Sequence, residues 1–149
     1  MKVFNNETYI ATWEQSKWLV LSSFLFMIPS IYAYLHNLYF YSVLLSTTSI
    51  VSANYWRKAL ANSWRRNMDL ALAKVSFIIF LSNGIIYVKK IEYIITGYSG
   101  LVILVYCYLL AGNLWKAKQS SWYFYHALFH FIIMYEQLII LDSMIHRIE

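Results

Sequence analysis

The sequence predicts an all-α membrane protein built as one helix bundle, and three observations support this fold class. Of the 149 residues, 60% are hydrophobic and only 13% are charged, which is too apolar for an ordinary soluble domain. The mean hydropathy is +0.50. Apolar stretches of roughly 20 residues, the length that crosses a hydrocarbon core, recur along the chain. Because no repeat or long linker divides them, we expect residues 1–149 to form a single integral membrane domain.

Five stretches are predicted to cross the membrane: residues 18–35, 38–55, 70–88, 91–112 and 122–141. Pro29 is expected to kink the first helix. Hydroxyl side chains crowd the second helix, so we expect it to lie inside the bundle, where neighbouring helices can bond these groups. Short connections at residues 36–37 and 89–90 predict two tight antiparallel hairpins, of the first and second helices and of the third and fourth.

Lysine and arginine residues lie mainly between these stretches and predict the orientation of the chain. Positively charged loops stay on the cytoplasmic side of a membrane. Eight basic residues fall on the side of the N-terminus and three on the other side, so we expect a cytoplasmic N-terminus and no nucleic-acid partner. The eight are Lys2, Lys17, Arg57, Lys58, Arg65, Arg66, Lys116 and Lys118, and the three are Lys89, Lys90 and Arg147.

A histidine pair near the start of the last stretch is the strongest candidate site. His126 and His130 are four residues apart, so both imidazoles point to one face of a helix, about 6 Å from each other. Asp69 begins the third helix, which runs parallel to the fifth, so this carboxylate is expected at the same membrane level. Two imidazoles and one carboxylate are adequate ligands for a catalytic zinc that keeps an open position for water.

A simpler interpretation of the same residues stays open. The histidines are then hydrogen-bonding groups among interfacial aromatic side chains, and Asp69 caps the third helix. Glu136 and Gln137 lie deeper in the last helix, where ionisable groups are rare. Gln137 is expected on nearly the same face as the histidines, whereas Glu136 is turned by roughly 100° and should face another helix.

Three segments of the chain resemble the CREST superfamily, which includes alkaline ceramidases, hemolysin III proteins and the progestin and adiponectin receptors. They are Ser52-Ala53-Asn54-Tyr55-Trp56, Asp69 after a basic loop, and His126-Ala127-Leu128-Phe129-His130. The resemblance implies zinc-dependent hydrolysis of an amide-linked membrane lipid. It implies that His126 and His130 bind the zinc, that Ser52 is an oxyanion or water partner, and that Asp69 orients the attacking water.

Two features of the chain depart from this family. Trp56 stands where the family has its other zinc-binding histidine, and an indole cannot ligate a metal. The family has seven helices whereas five are predicted here, as though a hairpin between the aspartate helix and the histidine helix were absent. Its absence would open one side of the bundle to a membrane-protein partner or a second copy of the chain.

Two functions from different classes therefore compete. One is a zinc-dependent lipid amide hydrolase at the inner membrane face, in an intact or a degenerate form. The other is a noncatalytic membrane subunit of a larger complex, whose small residues such as Gly97 and Gly100 make helix contacts. A channel or transporter ranks third, because Asn83, Glu136 and Gln137 offer few polar steps through the membrane.

Overall fold

The computed structural model describes residues 8–148, and these form five helical rods with no named strand. The first rod consists of α1 and α2, which are joined end to end by a short 3₁₀ turn. The predicted all-α fold class is thereby confirmed. The elements are α1 (Trp13–Ser23), the 3₁₀ turn (Phe24–Phe26), α2 (Met27–Leu35), α3 (Tyr39–Arg57), α4 (Trp64–Tyr87), α5 (Ile91–Lys116) and α6 (Trp122–Ile148).

Four of the rods are long and apolar enough to cross a membrane, as predicted. They are Trp13–Leu35, Trp64–Tyr87, Ile91–Lys116 and Trp122–Arg147. The remaining rod, α3, has 19 residues and is not among these four candidate spans. The hydroxyl side chains noted in its sequence lower its hydropathy.

The polar face of α3 is buried and its apolar face is exposed. Thr48 Oγ1 lies 3.1 Å from Ser76 Oγ of α4, and the Ser49 hydroxyl donates to the Ser23 carbonyl of α1 at 2.9 Å. Phe40, Val43 and Ile50 are exposed on the other side of the helix. The expectation that neighbouring helices bond the polar groups of α3 is confirmed, but only this face of α3 lies inside the bundle.

The first rod changes helix type one turn before Pro29. Proline lacks the N–H that would bond the carbonyl four residues earlier, which belongs to Leu25. Leu25 is the central residue of the 3₁₀ turn, and Pro29 itself is fully buried. The interruption expected from Pro29 thus takes the form of a tighter turn in the preceding segment.

Left-handed residues end α2 and α5 and allow tight turns. Asn37 has φ of 61° and Lys118 has φ of 55°. The Leu38 amide donates back to the Ala33 carbonyl at 2.9 Å, a bond typical of such helix ends. The helices that these turns connect, α2 with α3 and α5 with α6, pack against each other. The predicted hairpin of the first and second helices is confirmed.

The second predicted hairpin is wrong. Among the described residues α4 packs against α3 and α6, and α5 packs against α6 alone, so α4 and α5 do not contact each other. The short connection between them is extended, with φ and ψ of −74° and 111° at Val88 and −67° and 130° at Lys90. This backbone leads α5 away from α4, and the side of the bundle between α4 and α5 is called the open flank below.

One end of the bundle gathers the segment before α1, the segment after α3 and the end of α5. The Ile10 amide donates to the Ala59 carbonyl at 2.8 Å, and Trp115 Nε1 donates to the Ile10 carbonyl at 3.1 Å. These contacts agree with the predicted alternation of helix directions. The cytoplasmic location of this end stays a prediction, and Lys2 lies outside the described residues.

At the opposite end of the bundle, one carboxylate accepts hydrogen bonds from two other helices. Asp142 of α6 accepts hydrogen bonds from Tyr32 of α2 at 2.9 Å and from Tyr93 of α5 at 2.8 Å. Hydrogen bonds to a charged acceptor are stronger than those between neutral groups. Asp142 therefore ties the first rod, α5 and α6 together at this end.

Candidate functional site

The two histidines lie side by side near the start of α6. Their ring centroids are 4.9 Å apart, as the four-residue spacing predicts. His130 is buried, and its Nδ1 lies 2.8 Å from Ser22 Oγ of α1. The Ser22 hydroxyl donates its one proton to the Leu19 carbonyl at 3.1 Å. The Ser22 oxygen therefore accepts from His130, which carries its proton on Nδ1 and keeps a lone pair on Nε2.

Aromatic rings enclose the histidine pair. The ring of Trp56, at the end of α3, lies 5.0 Å from that of His126, and the Trp122 ring lies 6.4 Å away. Phe26 of the 3₁₀ turn lies 5.2 Å from the His130 ring. Trp56 is 5% exposed, and its Nε1 has no hydrogen-bond partner among the described residues. The indole of Trp56 thus occupies the space beside His126.

Ser52 and Asp69 form the other half of the candidate site. The Ser52 hydroxyl lies within hydrogen-bonding reach of the Asp69 carboxyl group. It also accepts a hydrogen bond from the Ser23 hydroxyl at 3.0 Å. Ser23 and Ser22 are consecutive residues of α1, so this one helix contacts both halves of the site. Asp69 is partly buried on α4.

Asp69 does not cap its helix. The N-cap of α4 is Ser63, whose hydroxyl accepts from the Arg66 amide at 3.3 Å. The predicted start of this helix was residue 70. The helix begins instead at Trp64, because the basic segment before Asp69 is itself helical. The capping interpretation of Asp69 is therefore wrong, and this carboxyl group projects from within the helix towards α3.

The structure places the four predicted residues in two pairs. His126 contacts His130, and Ser52 contacts Asp69, but no three histidine, cysteine, aspartate or glutamate residues in the described part of the chain are grouped to hold a metal ion. A catalytic zinc commonly takes three protein ligands, and the two indoles that pack against His126 have no lone pair available for a metal. Zinc coordination by His126, His130 and Asp69 stays a prediction of the sequence.

The serines of α1 are part of this site and were not singled out in the sequence. Ser22 bonds His130 and Ser23 bonds Ser52. Two adjacent hydroxyls within an otherwise apolar stretch were the available signal, because such groups often bond across helices in membranes. The partner of each hydroxyl could not be known without the packing of α1 against α3 and α6.

No family model, no curated protein and no solved structure matches this chain. The resemblance to the CREST superfamily therefore depends on the residues quoted above, and membership of that superfamily stays a prediction.

Proposed function

We propose that the protein is a noncatalytic multi-pass membrane protein that keeps the helix arrangement of ceramidase-type hydrolases without their zinc centre. The observation that carries this proposal is the position of Trp56. The resemblance assigns residue 56 to a third zinc ligand beside the histidine pair. The ring at that position lies 5.0 Å from the His126 ring, but it is an indole.

The surroundings of the histidines also favour this proposal. His130 is bonded to Ser22, and aromatic rings from α3, α6 and the 3₁₀ turn pack on the pair. Such contacts stabilise neutral imidazoles in an apolar interior, because buried polar groups need hydrogen-bond partners. In this proposal the pair joins α1 to α6 and has no role in chemistry.

The open flank supports a role as a subunit of a larger assembly. The family resemblance places a missing hairpin between the aspartate helix and the histidine helix. On that side α4 and α5 do not contact each other, and only 11% of the most apolar 18-residue segment of α4 is buried. Helices of a partner or of a second copy could pack there through van der Waals contacts, which drive helix association in membranes.

Restoring the third histidine tests the zinc part of the proposal. Metal analysis of full-length protein purified without chelators should find no stoichiometric zinc in the wild type. The variant Trp56→His should gain about one zinc per chain, since it supplies the three imidazoles of a catalytic-type site whose fourth position is open to water. His126→Ala in the Trp56→His background should abolish the gain. Trp64→His is the matched control, because Trp64 is exposed near the same end of the bundle.

Each outcome decides between the alternatives. Zinc in the wild type at about one per chain, lost in His126→Ala or His130→Ala, would refute the noncatalytic proposal and favour the amide hydrolase. A Trp56→His variant that stays folded yet gains no zinc would refute the ceramidase-type arrangement itself.

Copurification tests the subunit role separately. Protein purified in mild detergent from its native membrane should carry a stoichiometric partner or form a defined homo-oligomer. A chain that remains monodisperse and monomeric under these conditions would count against an assembly on the open flank.

A further inference from the structure

A half-buried glutamate outside the histidine site has an unpartnered, buried carboxyl oxygen. Glu136 lies on α6 near the middle of its candidate span and faces α5, as the helical period predicts. Its carboxyl oxygens rest on two glycines of α5. A Cβ atom built on Gly100 would lie 1.7 Å from Oε1 of Glu136, and one built on Gly97 would lie 3.4 Å from Oε2.

At position 100 only glycine leaves room for the carboxyl group, whereas a Cβ at position 97 would make ordinary contact with it. Gly97 and Gly100 are three residues apart, so they lie on one face of α5 and form a notch into which the Glu136 side chain fits. The contacts that the notch offers are weak, because Cα–H groups are poor hydrogen-bond donors. Oε1 is buried and has no hydrogen-bond partner among the described residues.

The described residues also supply no charge to balance a carboxylate. Among these residues Glu136 forms no ion pair. On α6, the neighbouring Tyr135 is exposed, and the nearest histidine or acidic residue on either side in sequence is His130 or Asp142, each about 9 Å away along the helix axis. On α5, Tyr93 is bonded to Asp142, and Tyr98 is exposed. An unpaired ion at this depth in a membrane is costly, so a neutralising proton or other cation must come from outside the described residues.

We propose that Glu136, in the notch of Gly97 and Gly100, is an intramembrane proton-binding site. The bound proton makes the carboxyl group neutral and lets it lie against α5. Loss of the proton leaves an ion without a partner in the notch. The carboxylate then leaves the notch towards water or an external cation. Proton occupancy is thereby coupled to the contact between α5 and α6.

A hydrophobic carbodiimide tests this site, because it reacts with protonated carboxyl groups in an apolar setting. The carboxyl proton is transferred to one nitrogen of dicyclohexylcarbodiimide, and the carboxylate oxygen bonds to its central carbon. The resulting O-acylisourea rearranges by acyl transfer to nitrogen and forms a stable N-acylurea, with no leaving group. Peptide mass spectrometry of full-length protein in mild detergent then locates the adduct.

We expect the adduct on Glu136 and a smaller labelled fraction on Glu14 and Glu92, which are exposed. The variant Glu136→Gln keeps the size of the side chain and should lose the adduct, whereas the control Glu92→Gln should retain it. Labelling of Glu136 should fall as pH rises, because only the protonated form reacts. No adduct on Glu136, or equal labelling of the three glutamates, would overturn the proposal.

Discussion

The glycine notch leads to a quantitative prediction on the packing of α5 against α6. In Gly100→Ala the new Cβ would lie 1.7 Å from Oε1 of Glu136, and this distance must double to reach ordinary contact at about 3.4 Å. Oε1 is the far end of a flexible side chain, so Glu136 can rotate out of the notch. Its carboxyl group then loses its packing on α5, which should cost about 1–3 kcal/mol.

Gly112→Ala is the matched control, because a Cβ at Gly112 meets nothing within 4 Å. Both substitutions replace a glycine of the same helix and gain the same helix propensity, about 1 kcal/mol. Gly100→Ala should therefore be less stable than Gly112→Ala by about 1–3 kcal/mol. The measurement is the free energy of unfolding in mixed micelles, with helicity followed by circular dichroism while the fraction of denaturing detergent is raised.

A double-mutant cycle identifies Glu136 as the cause. In a Glu136→Ala background the clash is absent, so Gly100→Ala should become neutral or stabilising. The coupling energy between the two positions should be about 1–3 kcal/mol. Equal stabilities of Gly100→Ala and Gly112→Ala, or additive effects in the cycle, would refute the notch.

Two further substitutions test the hydrogen bonds at the two ends of the bundle. Ser22→Ala should lower the free energy of unfolding by about 1–3 kcal/mol, because His130 is left buried without its Nδ1 partner. Asp142→Asn removes the charge that strengthens the bonds from Tyr32 and Tyr93, so it should destabilise the fold by about 1–2 kcal/mol in the same micelle titration.

Ser22→Ala has a matched control, and both predictions have a contrary outcome. Ser46→Ala should be nearly neutral, because the Ser46 hydroxyl bonds only the Val43 carbonyl of its own helix. A Ser22→Ala variant as stable as Ser46→Ala would mean that the bond to His130 is absent. For Asp142→Asn, hydrogen exchange at the end of α2 and the start of α5 should rise, and unchanged exchange would contradict the bridging role of Asp142.

The candidate site was predictable in part, and the rest depends on helix packing. The four-residue spacing of His126 and His130 gave their contact, since the helical period alone brings i and i+4 together. The helix directions brought Ser52 and Asp69 to one end of the bundle. The position of Asp69 relative to the histidines depends on how α4 packs. Among the described residues Asp69 of α4 contacts Ser52 of α3 and is not grouped with the histidines.

The sequence by itself determined the helices and their alternating directions. Each predicted stretch lies within one rod to about a residue, because every backbone polar group inside a membrane must be bonded within its own helix, although several rods extend further at one end. The polar residues of α3 likewise indicated which of its faces would be buried.

Only the tertiary structure decided which helices touch. Lipid is as apolar as the helix surfaces, so hydropathy does not select one helix partner over another. The choice depends on close packing between residues far apart in the chain, such as Glu136 on Gly100 and Trp56 on His126. As a result α5 packs on α6 and not on α4, and an indole lies beside the histidine pair. Neither arrangement follows from composition or spacing.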